Sequence, residues 1–117
     1  MLAIGEKMGQ LVQIHWTCGS LDEARKVSRF LVQERFVACA NIIPWVESVY
    51  MWEGELHTDQ ETKVIFKTIE EKFSAVVEVI KDNTSYEVPE ISKFVVDEAS
   101  EDYISWVDEV LEKTLNT

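Results

Sequence analysis

At 117 residues the chain is long enough for one packed core and too short for two comfortable ones. Its 22 acidic against 11 basic side chains give a net charge of −11 with no basic run, which disfavours a nucleic-acid partner because phosphate binding draws on clustered Lys and Arg. No apolar stretch is long enough for a membrane-spanning helix.

The opening "MLAIGEKMGQ" has neither a long apolar core behind a basic flank nor a small-residue cleavage site. No secretory signal is therefore expected, and residues 1–9 read as a flexible extension of one domain spanning residues 1–117. "QLVQIHWT" alternates, with Val12, Ile14 and Trp16 on one face and Leu11, Gln13 and His15 on the other, the period of a strand. "SLDE" has the form of a capping box, Ser20 at the cap and Glu23 reaching back, and Leu21, Ala24, Val27 and Leu31 carry helical spacing to about Arg35. "FVACANII" is the β-branched and small apolar run of a buried strand. Pro44 lacks the N–H that a ladder needs, so it marks an edge or a bulge in the strand continuing through "WVESVYMW". Gly54 supplies a tight turn, and "HTDQETKVIFKTI" returns with Val64 and Phe66 facing one way and Ile65 and Lys67 the other, completing a long hairpin.

A helical stripe of Phe73, Val76, Val77 and Ile80 follows, then "KDNTSYEVPEISKF", with the strand "ISKFVV" overlapping its end. The last element is a helix capped at Ser100, with Tyr103, Val107, Val110 and Leu111 at helical spacing. The order β-α-β-β-α-β plus a C-terminal helix defines an α+β, ferredoxin-like sandwich, a sheet with helices on one face. In the hairpin's first arm Val46, Ser48, Tyr50 and Trp52 share one face, and Trp45, Glu47, Val49 and Met51 the other, so large apolar groups stand on both. Leaving such groups wet forfeits ~1.5–3 kcal/mol each relative to burial. A homo-oligomer built on the hairpin resolves this; the alternative is cover by the C-terminal helix through Trp106.

No Gly-rich phosphate loop, GxSxG elbow, HExxH or paired CxxC appears, and no nucleophile–base pair can be assigned, so an enzyme is not expected. Cys18 and Cys39 are expected as free thiols in a cytoplasmic protein. Cys39 has the setting of a small core hydrophobe, whereas Cys18, beside Gly19 at a strand end, is better placed for chemistry. His15 and His57 read as solvated or hydrogen-bonded residues on strand exteriors. In "YEVPEI" Pro89 holds Val88 extended, which lets Tyr86 and Glu90 face one cleft; the bland alternative is a rigid linker with a packed phenol and solvated carboxylates.

Several stretches together resemble the CutA divalent-cation-tolerance family: "TC" before an acidic helix start, "ACANIIPWVESVYMWEGEL", "ETKVIFKT", "YEVPEI" and "DYISWV", in one order across nearly the whole chain. The resemblance implies a ferredoxin-like subunit in a tight homotrimer, with an architecture similar to the trimeric PII signalling proteins. It implies a role in tolerance of copper and other divalent cations, and an intersubunit cleft whose matching residues are Trp52, Glu61, Lys67, Tyr86 and Glu90. Lys67, Tyr86 and Glu90 would there hold a small anion or a weakly bound cation such as copper or zinc. Where the family usually reads His-Pro-Tyr, this chain has Thr84-Ser85-Tyr86, which leaves Glu90, with Cys18 as a possible contributor, as the metal-binding candidates. Carboxylates alone suit harder ions held weakly. An interaction or signalling scaffold with a purely structural cleft is the competing expectation.

Overall fold

The structure, a computed structural model, describes residues 9–116. The expected N-terminal extension lies outside the described residues except for Gly9. Four strands, β1 (Leu11–Cys18), β2 (Cys39–Trp52), β3 (Glu55–Ile69) and β4 (Glu90–Val95), alternate with helices α1 (Leu21–Gln33), α2 (Phe73–Asn83) and α3 (Glu101–Asn116). The sheet order is β2-β3-β1-β4 with every neighbouring pair antiparallel. Each β-α-β unit is thus split by a strand of the other, as the element order predicts.

One sheet face forms the main core. Val12, Ile14, Trp16 and Cys18 of β1 and Val64 and Phe66 of β3 lie under Ala24, Val27 and Leu31 of α1 and Val76 and Ile80 of α2, all essentially excluded from solvent. Trp16 and Phe66 stack with ring centroids 6.3 Å apart. Each large side chain so buried contributes roughly 1.5–3 kcal/mol, which is why the alternation in β1 is strict: a one-residue slip would turn this whole set to the other face.

The third helix, additional to the β-α-β-β-α-β unit, lies apart from the other two. It covers one end of the opposite face, where Val107 and Leu111 pack on Leu11 and Ala38, flanked by Ile69, Val96 and Tyr103. Trp106 stacks on Tyr103 and stays 43% exposed, and Trp45, Val49 and Met51 remain exposed, so the helix does not bury them. The rest of that face is open.

The hairpin turn has Glu53 at φ 50° and Gly54 at φ 83°, both left-handed, as a type I′ turn demands. This fixes Trp52 opposite Glu55 and Tyr50 opposite His57. Lower down, Ile43 pairs with Lys63 but Val46 with Glu61, so β2 spends one more residue than β3 between those pairs. Pro44 and Trp45, the latter at φ 61°, form that bulge, on an edge strand as proline requires. The bulge reverses the parity of β2: below it Asn41 and Ile43 share the open face with Lys63 and Ile65, whereas above it Ser48, Tyr50 and Trp52 do.

Candidate functional site

That parity change brings the polar-aromatic row of β2 beside His57, Asp59 and Glu61 of β3. The chain from α2 to β4 crosses the end of β1 next to them. Between these elements lies a recess of about 540 Å³, lined by Ser48, Tyr50, Trp52, His57, Asp59 and Glu61 from the hairpin, Tyr86, Glu87, Val88 and Glu90 from the crossing segment, and Thr17 from β1. Its size falls within the range of small-molecule sites, ~300–1,000 Å³.

Side-chain bonds hold the crossing segment in place. Ser20 caps α1 by accepting from the Glu23 amide at 3.1 Å, but the Glu23 carboxylate does not close the expected box. It accepts instead from the Ser85 amide at 3.0 Å and the Ser85 hydroxyl at 3.1 Å, tying the segment to the helix start. The Tyr86 amide donates to Thr84 Oγ1 at 3.2 Å, so Thr84 serves a turn and does not line the recess. The Tyr86 ring lies against Gly19, where a Cβ would meet it at 3.2 Å.

Each of three carboxylates in the recess accepts from a neutral hydroxyl. Tyr86 donates to Glu61 Oε2 at 2.5 Å, Tyr50 donates to Asp59, and Thr17 donates to Glu90 at 2.8 Å, with Ser92 on the other Glu90 oxygen at 3.3 Å. Burial, then the hydrogen bond to Glu61, raises the Tyr86 pKa far above an ordinary phenol's. The bond to Asp59, ahead of burial, raises that of Tyr50. Both phenols are therefore neutral donors at physiological pH. Glu61 is only 9% exposed, yet its bonding partner is a phenol and not a cation.

Of the residues expected at the site, Trp52, Glu61, Tyr86 and Glu90 come together here. Lys67 does not: six residues along β3 from Glu61, it stands roughly 20 Å away in the same chain at ~3.3 Å per residue, paired with Gln13 and Cys39. Cys18 is also placed elsewhere. Its side chain points into the main core and is fully buried, and burial together with the Glu23 charge pushes its thiol up to about 11, so the free thiol is protonated at neutral pH. Sequence reasoning missed Tyr50, His57 and Asp59. His57 stacks on Tyr50 at 5.6 Å and lines the recess, while His15 bonds Gln13 at 3.1 Å and packs on Phe94. The missing signal was the type I′ turn, which pairs residues whose numbers sum to 107 and so sets Tyr50 against His57 and Ser48 against Asp59.

The fold and recess define a small split β-α-β domain with an acidic, aromatic-walled pocket at one end of its sheet. Residues 12–110 match the family described as CutA1 divalent ion tolerance protein, and the chain belongs to that family. It is 38% identical over 93 residues to the divalent-cation tolerance protein CutA of Thermus thermophilus, covering 80% of this chain and 90% of that protein. The chloroplastic CutA of Arabidopsis thaliana is 32% identical over 82% of this chain, which spans about half (53%) of that longer relative. The solved structure of the periplasmic divalent cation tolerance protein CutA from Archaeoglobus fulgidus superposes with a TM-score of 0.83 at 32% identity, covering 87% of this chain and 99% of that one.

Proposed function

We propose that this protein acts in the response to divalent metal ions, copper among them, as a non-enzymatic cytoplasmic homotrimer whose recess forms part of an intersubunit cleft for a small ligand or cation. Membership of a family named for tolerance rather than for a reaction supports the first part. Exposed Trp45, Val49 and Met51 on the hairpin, and Ile43 and Phe94 on the open sheet face, support assembly, since each forfeits burial in a lone chain.

The observation that carries the cation reading is the charge of the recess. Asp59, Glu61, Glu87 and Glu90 line it and no Lys or Arg of the same chain does, so the wall this chain contributes attracts a cation and repels an anion. Lys67, the expected anion partner, stands away from the recess of its own chain. The donor set also bears on which metal would fit. Among the described residues no three His, Cys, Asp or Glu side chains converge to hold one ion, and the pocket offers oxygens and a single imidazole. That set suits a hard ion held weakly and does not fit a tight copper centre.

Isothermal titration of Mn(II), Zn(II) and Cu(II) into the full chain tests this. Weak, salt-sensitive binding that falls in Glu61→Gln and Glu90→Gln is expected. Tight copper binding that neither substitution changes would overturn the assignment of cations to this recess.

A further inference from the structure

The geometry points to a small methylated ammonium ion as the ligand of this recess, held by the aromatic walls of Tyr50, Trp52 and Tyr86 and by the Glu61 and Asp59 carboxylates. The inference deepens the reading of the recess as a cation site and rests on it.

A desolvated metal ion needs several donor atoms at about 2.0–2.6 Å from one point. The carboxylates here do not converge in that way. They are distributed around a space of about 540 Å³, far larger than one coordination sphere, and three of them are already oriented by neutral hydroxyls. Such hydrogen bonds fix the carboxylates without neutralising them. What remains is a diffuse negative field in a roomy cavity, which suits a large, weakly hydrated cation that forms no directional bonds.

The walls select further. Tyr50, Trp52, His57 and Tyr86 all line the recess, and the Tyr50 ring is held by its stack on His57, 15° between planes. Cations are attracted to the faces of Trp and Tyr within about 6 Å of the ring centroid, and rings of this kind are the usual cage for methylated ammonium groups. Two of these rings donate their O–H to a carboxylate, Tyr50 to Asp59 and Tyr86 to Glu61, which makes the rings more electron-rich and the faces more attractive to a cation. Val88 adds an apolar patch for methyl groups. Lys63, two residues down β3 from Glu61, does not line the recess and so does not compete from within it.

Tetramethylammonium chloride is the probe, titrated into the full chain at constant ionic strength against sodium chloride and against tert-butanol, a neutral molecule of similar shape. Calorimetry gives the affinity and two-dimensional NMR follows the Trp52 indole N–H, identified by its absence in Trp52→Phe. Saturable binding of tetramethylammonium is expected, at least tenfold tighter than any binding of tert-butanol. Trp52→Leu should weaken it roughly tenfold, Trp52→Phe by no more than about threefold, and Glu61→Gln by roughly tenfold. Trp52 is 49% exposed on the hairpin, so these changes leave the core intact; circular dichroism verifies that. Equal binding of tert-butanol, or no loss in Trp52→Leu, overturns the inference. Saturable Zn(II) binding that depends on Glu61 without tetramethylammonium binding overturns it while leaving the cation reading in place. Binding of neither ends both.

Discussion

Removing the Tyr86 hydroxyl tests whether the crossing segment is locked to the hairpin by one charge-assisted bond. In Tyr86→Phe the ring can keep its seat against Gly19, but Glu61, 9% exposed, loses the donor on Oε2. A hydrogen bond to a charged acceptor is worth about 1.5–3 kcal/mol. Because the recess lets water reach the carboxylate, the lower end applies, about 1.5 kcal/mol. With an m-value of ~1.5–2 kcal/mol per molar urea this moves the unfolding midpoint down by about 0.8–1 M. Urea titrations at one fixed protein concentration should be run on wild type, Tyr86→Phe, Glu61→Ala and the double variant. Once Glu61 is gone, Tyr86→Phe should cost no more than about 0.5 kcal/mol, leaving a coupling of roughly 1 kcal/mol or more. An additive cycle would refute the lock, as would a Tyr86→Phe cost near zero in the wild-type background.

The same residue carries a pH signature. The folded state holds the Tyr86 proton more tightly than the unfolded chain, so its share of stability is complete below the ordinary phenol value of ~10 and is lost as pH rises past it, and Tyr86→Phe should flatten this alkaline decline in pH-dependent melts. Cys18, fully buried with its pKa raised to about 11, should resist a thiol reagent at pH 8 far longer than the half-buried Cys39, and Cys18→Ser should leave metal affinity unchanged; mass spectrometry of timed alkylation reports the first and calorimetry the second. Gly19→Val should press branched methyl groups into the Tyr86 ring, displace it from Glu61 and lower stability by about 1–3 kcal/mol, seen as a lower urea midpoint. If the hairpin's outer face is an assembly surface, the melting temperature should rise with protein concentration, and Met51→Lys should abolish that dependence.

Much of the fold was legible because its signals are local. Strict alternation in β1 and the apolar stripes of the helices each follow from burial of one face, and Pro44 announced the bulge by the hydrogen bond it cannot make. The place of α3 was less legible: an amphipathic stripe says that a face is buried, not which surface receives it. For the site, Trp52, Glu61, Tyr86 and Glu90 were reachable through the family resemblance, yet Lys67 and Cys18 were not separable from them on that basis. Within one chain, parity turns Cys18 to the same side of β1 as Trp16, and distance along β3 separates Lys67 from Glu61, whereas the cleft that the resemblance implies lies between subunits. Glu23 looked like the second half of a capping box because nothing in sequence shows that Ser85, 62 positions later, presents two donors to it.

The bulge explains how one hairpin can serve two surfaces. A regular strand would keep the row containing Asn41 and Ile43 on the open face as far as the turn and would place Trp45 opposite Glu61 and Val49 opposite His57. The extra residue at Pro44–Trp45 lets the lower half keep its pairing with Lys63 and Ile65 while the upper half follows the register set by the Glu53–Gly54 turn. Ser48, Tyr50 and Trp52 then face the carboxylates, and Val49 and Met51 face outward. Substitutions on one row should therefore change ligand binding, and substitutions on the other should change assembly. Within one chain the two rows share the backbone of β2, and the bulge, with Trp45 held at positive φ, is where that backbone is least regular.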